Sequence, residues 1–288
     1  MTGRMRMTIG KGPGRIAGAA FFVLVLAGCD GGISVERGNI DYEQFTAQQI
    51  FERGEYDLAR RKPKLAAQSF AEVERLYPYS EFAKRAVIMQ AFAHHQDKEY
   101  EESRAAAQRY IDFYPADEDA AYAQYLLALS YYDQIDEVGR DQGLTFRALQ
   151  ALREVIERYP ESQYANSAML KFDLAFDHLA SKEMEIGRFY LKRDNFAAAV
   201  NRFRVVVEDF QTTSHTPEAL HRLVESYLSL GLVNEARTAG AILGYNFRGT
   251  DWYEDSYKLL IGQGHTLEAA GDNWLREVYR QTVLGQWL

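Results

Sequence analysis

The chain has 288 residues and a formal net charge of −8, from 41 acidic and 33 Lys or Arg side chains. That excess of negative charge argues against nucleic acid or an anionic lipid surface as the main partner. One cysteine, Cys29, leaves no room for a disulfide framework or a Cys-bound metal, and six prolines among long Ala-, Leu-, Glu- and Arg-rich stretches predict nearly all helix.

Residues 1–28 read as a secretory signal. Arg4, Arg6, Lys11 and Arg15 precede an apolar run from Ile16 to Ala27. That run is well short of the ~20 residues a membrane-crossing helix needs, and suits a signal core. It ends in Leu26-Ala27-Gly28-Cys29, which resembles the bacterial lipobox. The resemblance implies that Cys29 becomes the first residue of the mature chain and carries N-acyl and S-diacylglycerol lipid, with no other cofactor. A single acyl chain, at ~0.8 kcal/mol per buried CH2, anchors only marginally, whereas several anchor stably. Loss of the four basic residues would take the charge from −8 to −12. Residues 29–40, with three glycines and Ser34, read as the lipidated tether.

Beyond the tether the chain repeats. Ala66, Phe70, Val73 and Pro78 recur as Ser103, Ala107, Tyr110, Pro115; as Ala148, Leu152, Val155, Pro160; as Ala199, Phe203, Val206, Gln211; and more weakly as Ala236, Gly240, Leu243, Arg248. The registers begin 37, 45, 51 and 37 residues apart, which fits a 34-residue helix-turn-helix unit with insertions and resembles the tetratricopeptide repeat. In such a unit a small residue twelve positions before the alanine lets two helices approach, an aromatic three further on fills the gap, and proline ends the second helix. Gly187 with Tyr190 fits both, as does Ala91 with His94, and Gly54 fits with Asp57 in place of the aromatic. Ala128 and Tyr131 fit if the polar stretch Asp133 to Gly143 is an inserted loop. The expected fold is all-α, a tetratricopeptide-repeat right-handed superhelical solenoid of about five hairpins with C-terminal capping helices. The expected parts are an N-terminal half over 41–160, a C-terminal half over 161–248 and a helical extension over 249–288. Ser162 to Lys192 reads as one long helix or as two broken near His178 to Lys182. Asp251 to Ile261 and Asn273 to Leu284 read as further helices with no matching repeat register.

Catalytic and metal-binding signals are absent from the sequence. The six histidines are scattered without HExxH spacing, and His94 sits where the repeat wants a packing aromatic. The acidic loop of Asp133, Asp136, Glu137 and Asp141 lacks the spacing and central glycine of a calcium loop. Glu183 and Glu185, two apart on a helix, point away from each other. No nucleophile elbow or phosphate loop occurs, so no enzyme is expected and no metal. Tyr125, Tyr131 and Tyr132 cluster before the inserted loop, and an aromatic-lined groove there would suit an extended peptide.

The stretches ERLYPYSEFAKRA, QRYIDFYPADEDAAYAQYLLALSYYDQI, EMEIGRFYLKRDNFAAAVNRFRVVVEDF and ALHRLVESYLSLG, with RDQ in the inserted loop, closely resemble the BamD family, the lipoprotein subunit of the β-barrel assembly machine. The resemblance runs from about residue 42 to residue 248. It implies a non-enzymatic scaffold, lipid-anchored to the outer membrane and facing the periplasm. Its implied partners are the POTRA domain of the barrel subunit BamA, other Bam lipoproteins, and unfolded outer-membrane β-barrel clients. In the family an arginine in the turn before the second helix of the fourth repeat matches Arg193, and that of a V-N-R motif matches Arg202; both are expected to contact BamA. Asp30 departs from expectation, because in enteric bacteria an aspartate after the lipid cysteine signals retention at the inner membrane. A periplasmic repeat lipoprotein that coordinates peptidoglycan synthesis or cell division is the alternative within the binding class.

Overall fold

The structure is a computed structural model that describes residues 41–138 and 140–266, together with Leu275 and Val278. The expected signal, the tether and most of the last expected helix lie outside these residues. A short 3-10 turn, Tyr42–Gln44, leads into α1 (Ala47–Ala59), α2 (Pro63–Leu76), α3 (Glu81–Gln96), α4 (Tyr100–Phe113), α5 (Ala120–Tyr132), α6 (Gly143–Arg158), α7 (Ala165–Leu191), α8 (Phe196–Asp209), α9 (Thr216–Ser229), α10 (Val233–Asn246) and α11 (Asp251–Gly262). No strand occurs among the described residues.

Each helix packs on the next, and α1 on α3, α3 on α5, α5 on α7 and α9 on α11. Antiparallel hairpins thus stack side by side as a helical-repeat solenoid, with the first helix of each pair lining the more tightly packed side. The small-residue spacing works as the sequence implies. A methyl on Gly54 would lie 2.6 Å from the Phe70 ring and one on Gly187 2.4 Å from the Phe203 ring. Both rings are fully buried, so each glycine is a seat for the phenylalanine four residues after the repeat alanine. Ser103, which replaces that alanine in the second hairpin, donates its hydroxyl to the Ala91 carbonyl at 2.8 Å. The buried polar atom is therefore satisfied.

Two turns recur and explain the regular stacking. At the end of α1, α3, α7, α9 and α11 a residue adopts the left-handed conformation: Arg61, Lys98, Asp194, Gly231 and Gly264, with φ from 56° to 80°. The next amide bonds back to the carbonyl five residues earlier, as from Lys62 to Asp57 at 2.8 Å and from Leu232 to Tyr227 at 2.8 Å. This closes the helix on itself and sets the angle to its partner. At the end of α2, α4, α6, α8 and α10 stands an aromatic, namely Tyr77, Tyr114, Tyr159, Phe210 and Phe247, in an extended-to-bridge conformation. In the first three cases a proline follows, which disfavours continued helix. Each aromatic carbonyl then accepts from an amide three residues on: Ser80, Asp117, Ser162, Thr213 and Thr250. The aromatic and the small polar residue three positions later are repeat marks that the alanine-based register passes over.

These turns also place the extension. Thr250 caps α11 with its side chain as Ser80 caps α3, and α11 ends in the same left-handed turn as α1. It packs on α9 and α10, so it stands where the first helix of a next repeat would. Leu275 and Val278, helical and buried, join the same core as Leu260. Between the halves, Ser162 to Lys192 resolves as one unbroken helix of 27 residues, α7. Its start packs in the core of α5 and α6 and its end in that of α8 and α9, with Phe172 touching both. The inserted loop runs from Asp133 to Gln142, between α5 and α6.

Candidate interaction sites

The turn between α7 and α8 carries Arg193. Its guanidinium carbon lies 3.6 Å from the centroid of the Phe189 ring and its Nη1 donates to the Phe189 carbonyl at 3.3 Å. Both side chains stand in solvent, Phe189 at 50% exposure. A cation held flat on an exposed aromatic is preorganised for a carboxylate or a carbonyl on a partner, because little rotamer freedom remains to be lost. Arg202, on α8, is engaged internally: its Nη1 donates to Glu183 of α7 at 3.1 Å, with the arginine side chain 43% exposed. An ion pair at that exposure contributes ~0–1 kcal/mol.

Behind this edge lies a network that the repeat pattern does not reveal. Arg188 of α7 grips Glu218 of α9 through two nitrogens, one at 2.9 Å. Arg222 bonds Glu218 and also Glu225, the latter at 2.7 Å. His221 donates or accepts at 2.8 Å to Ser256 of α11, and Arg222 lies over Trp252. Burial works against the charge on Glu218, yet Arg188 and Arg222 outweigh it and hold the carboxyl below the usual range. Glu218 in turn raises Arg188 further. The charges thus pin α7, α9 and α11 together. A charged residue in every third or fourth position of these helices was the only sequence signal, and it is common to any solvated helix face.

The tyrosines divide by helix face. Tyr122 and Tyr125 stack on Tyr164 with ring centroids 5.2 and 5.3 Å apart, and Tyr132 lies under the Lys171 ammonium at 5.1 Å. Burial, then the neighbouring Tyr164 and Asp119, pushes the Tyr122 hydroxyl up to about 12. Burial likewise raises Tyr125 and Tyr132. Tyr125 and Tyr132 are seven residues apart, two turns of helix, and share the side facing α7. Tyr131, one residue before, turns instead toward α4, where Arg104 lies 4.4 Å from its ring centroid. It is the gap-filling aromatic of its own hairpin.

On the α6, α7 and α8 side opens a groove of about 520 Å³, with Phe146, Leu149, Phe172, Phe176 and Phe210 in its walls. Arg153, Glu183 and Asp209 stand at its rim, and Phe146 is 60% exposed. The groove follows from the length of α7, which forces α6 and α8 to flank one helix rather than share a short turn. Its aromatic walls and mixed-charge rim suit an apolar segment with polar flanks. Among the described residues no three His, Cys, Asp or Glu side chains converge to hold a metal. Asp177, Ser214 and His215 come together, but the Ser214 hydroxyl donates to Asp177 at 2.8 Å while His215 meets the other carboxylate oxygen at 3.3 Å. The hydroxyl has no imidazole acceptor, so this is not a nucleophile with its base.

A sequence profile described as an outer membrane lipoprotein, YfiO, matches residues 43–242. A protein of Caulobacter vibrioides named outer membrane protein assembly factor BamD is 47% identical over 239 residues, 83% of this chain and 78% of its own length. The chain belongs to the BamD family. The BamD of Rickettsia prowazekii is 44% identical over 73% of this chain and 84% of its own, and that of Neisseria meningitidis serogroup A is 26% identical over 78% and 88%. A crystal structure of PilW, a type IV pilus biogenesis factor, overlaps 72% of this chain and 96% of its own at 11% identity with a TM-score of 0.33, too loose a likeness to weigh. The BamD match covers α1 to α10 almost end to end. Arg193, Arg202 and the three tyrosines all lie inside it.

Proposed function

We propose that this chain is a non-enzymatic scaffold for assembling β-barrel proteins into the outer membrane, held there by lipid on Cys29 and facing the periplasm. The observation that carries the reading is 47% identity over 239 residues to a protein named as an outer membrane protein assembly factor. An array of helical hairpins offers an extended docking surface, which agrees with such a role. The Arg193 edge, with Arg202 beside it, is the proposed contact for the POTRA domain of BamA. Clients would lie against the aromatic surface of Tyr125 and Tyr132, with Tyr131 supporting it from behind. Ordering an unfolded client costs several kcal/mol, so affinity per site should be modest, as suits a station that passes its cargo on. Partner lipoproteins of the same machine complete the proposed assembly. The two halves over 41–160 and 161–248, and the extension over 249–288, would then separate client contact from partner contact.

The test is a pull-down of tagged, detergent-extracted protein made with its own signal, followed by mass spectrometry and membrane fractionation. Stoichiometric recovery of a POTRA-containing barrel from the outer-membrane fraction is expected, despite Asp30. Recovery of peptidoglycan-synthesis or division proteins from the inner membrane instead would overturn the assignment. Falling porin levels on depletion, without septation defects, are the matching expectation in cells.

A further inference from the structure

The chain is acidic overall, yet Arg60-Arg61-Lys62-Pro63-Lys64 puts four cations into five residues at the turn between α1 and α2. All four are exposed. Lys64 is paired with Glu99 at 3.1 Å. Arg60 donates to the Tyr56 hydroxyl at 2.5 Å and lies over that ring. Arg61, with φ 56°, and Lys62 make no ion pair among the described residues.

Tyr56 joins this turn to a second feature. Tyr42, Phe45, Glu52, Arg53 and Tyr56 line one open cleft of about 370 Å³ along α1, with Phe45 41% and Tyr56 57% exposed and the single acid, Glu52, accepting from Gln48 at 2.8 Å. Tyr42 stands 13 residues after Cys29, a span that reaches at most ~45 Å when extended. The α1 helix adds only ~20 Å from there to the turn. If Cys29 is acylated, the basic turn is always within reach of the membrane that holds it.

We propose that the α1–α2 turn and the aromatic cleft formed by Tyr42, Phe45 and Tyr56 beside α1 dock on the anionic phospholipid headgroups of the membrane carrying the Cys29 anchor. This rests on the lipid-anchor reading given under the proposed function. Arg61 and Lys62 have no internal carboxylate to neutralise, so they are left for anions outside the molecule. Tyr56 presents a ring with a hydroxyl at its edge, which suits the level of the headgroups, and Phe45 adds an exposed apolar ring beside it. The tether keeps the local concentration of membrane high, whereas an acidic protein would have to arrive by diffusion. The rest of the chain is acidic and repelled, so contact is confined to this corner. Electrostatic docking then adds posture to anchoring: the array would stand with α1 toward the bilayer and its later hairpins away from it.

Each cation near an anionic surface changes the docked-to-free ratio about fivefold, and three change it on the order of a hundredfold. Because acylation consumes Cys29, the lipidated full-length chain bearing Ala59→Cys has one free thiol for an environment-sensitive dye. It is reconstituted in phosphatidylcholine vesicles and in vesicles with added phosphatidylglycerol; Phe113→Cys, at the end of α4, is the control position. The expected result is a blue shift and protection from aqueous quencher at position 59 with phosphatidylglycerol alone. The shift should vanish in 1 M salt, where the screening length falls to ~3 Å. It should also vanish in Arg60→Glu/Arg61→Glu/Lys62→Glu, and be weakened in the gentler Arg61→Gln/Lys62→Gln, with helical circular dichroism and vesicle retention unchanged. Equal spectra in both vesicles overturn the proposal, as does a shift that needs added BamA, because the turn would then read an acidic protein. Mass spectrometry of Cys29 separates the two readings. If no acyl group is found, flotation of the same chain with phosphatidylglycerol vesicles tests the turn alone, and failure to float overturns it.

Discussion

Replacing Gly187 with alanine tests the close approach on which the repeat depends. In an isolated helix the change would stabilise by ~0.5–1 kcal/mol through backbone entropy alone. Here the new methyl would sit 2.4 Å from Cε1 and 2.8 Å from Cδ1 and Cζ of Phe203, inside the 3.0 Å that real contacts essentially never undercut. Phe203 is fully buried in a cluster with Met184, Ala199, Val206 and Leu220, so its ring cannot swing away without displacing the core. Overpacking of this kind costs ~1–3 kcal/mol. Net destabilisation of about 1–2 kcal/mol is expected, read as a fall in the urea midpoint at unchanged slope. Amide exchange should quicken in α7 and α8 first, because repeat arrays open locally. Phe203→Leu in the same chain should recover part of the loss, as a coupling between neighbours. A Gly187→Ala chain more stable than the parent would refute the reasoning, since it would mean that α7 and α8 do not approach this closely.

Acid should weaken the molecule through four carboxylates. Glu99, held by His94 and Lys64, and Asp117, held by Lys84 and Tyr110, lie below their ordinary values; so do Glu218 and Glu225, where arginine and histidine partners outweigh burial. A lowered folded-state value means the unfolded chain binds protons first, so this stability is present above pH 4.5 and is lost as pH falls through the folded values; urea midpoints flat from pH 6 to pH 3 would contradict it. Tyr110→Phe removes the donor that meets Asp117 at 2.5 Å and should cost about 1.5 kcal/mol in the same assay; no loss would show the bond to be idle. Arg193→Glu should reduce co-purification of BamA about tenfold, as befits an arginine anchor, with the circular dichroism unchanged; undiminished recovery would remove Arg193 from the contact. Arg202→Glu should also set two carboxylates against each other at Glu183, so it is expected to lower stability slightly where Arg193→Glu does not.

The hairpins were legible because the chain repeats a volume constraint. Gly54 and Phe70, or Gly187 and Phe203, must be small and large at a set spacing wherever two helices touch, and that leaves a pattern in one dimension. The extension after Arg248 was not legible by the same rule, since α11 keeps the capping threonine and the left-handed glycine of the repeat but not its small-residue register. Turn residues carried that information, and Phe247 with Thr250 would have exposed it. The ambiguity over Ser162 to Lys192 had a physical source as well: α7 passes from one core to the next around Phe172, and no helix-breaking residue marks the change. Contacts between side chains of different helices were beyond reach. Nothing in the spacing of Glu183 and Arg202, or of Arg188 and Glu218, tells that each pair meets, and the split between Tyr131 and its neighbours appears only once α4 and α7 are in place.

The long α7 helix has a mechanical consequence. At 27 residues it is ~40 Å of unbroken hydrogen-bonded rod, seated at one end among the third hairpin and at the other among the fourth. A loop at that junction would have acted as a hinge, and the two halves would swing independently. A strut shared by both cannot kink sharply without breaking helix hydrogen bonds or unseating Phe172, so the spacing between whatever binds before it and whatever binds after it is set by the helix itself. Cargo and receiver would then meet at a constant offset, as on a jig, and any adaptation to clients of different shape must come from the clients.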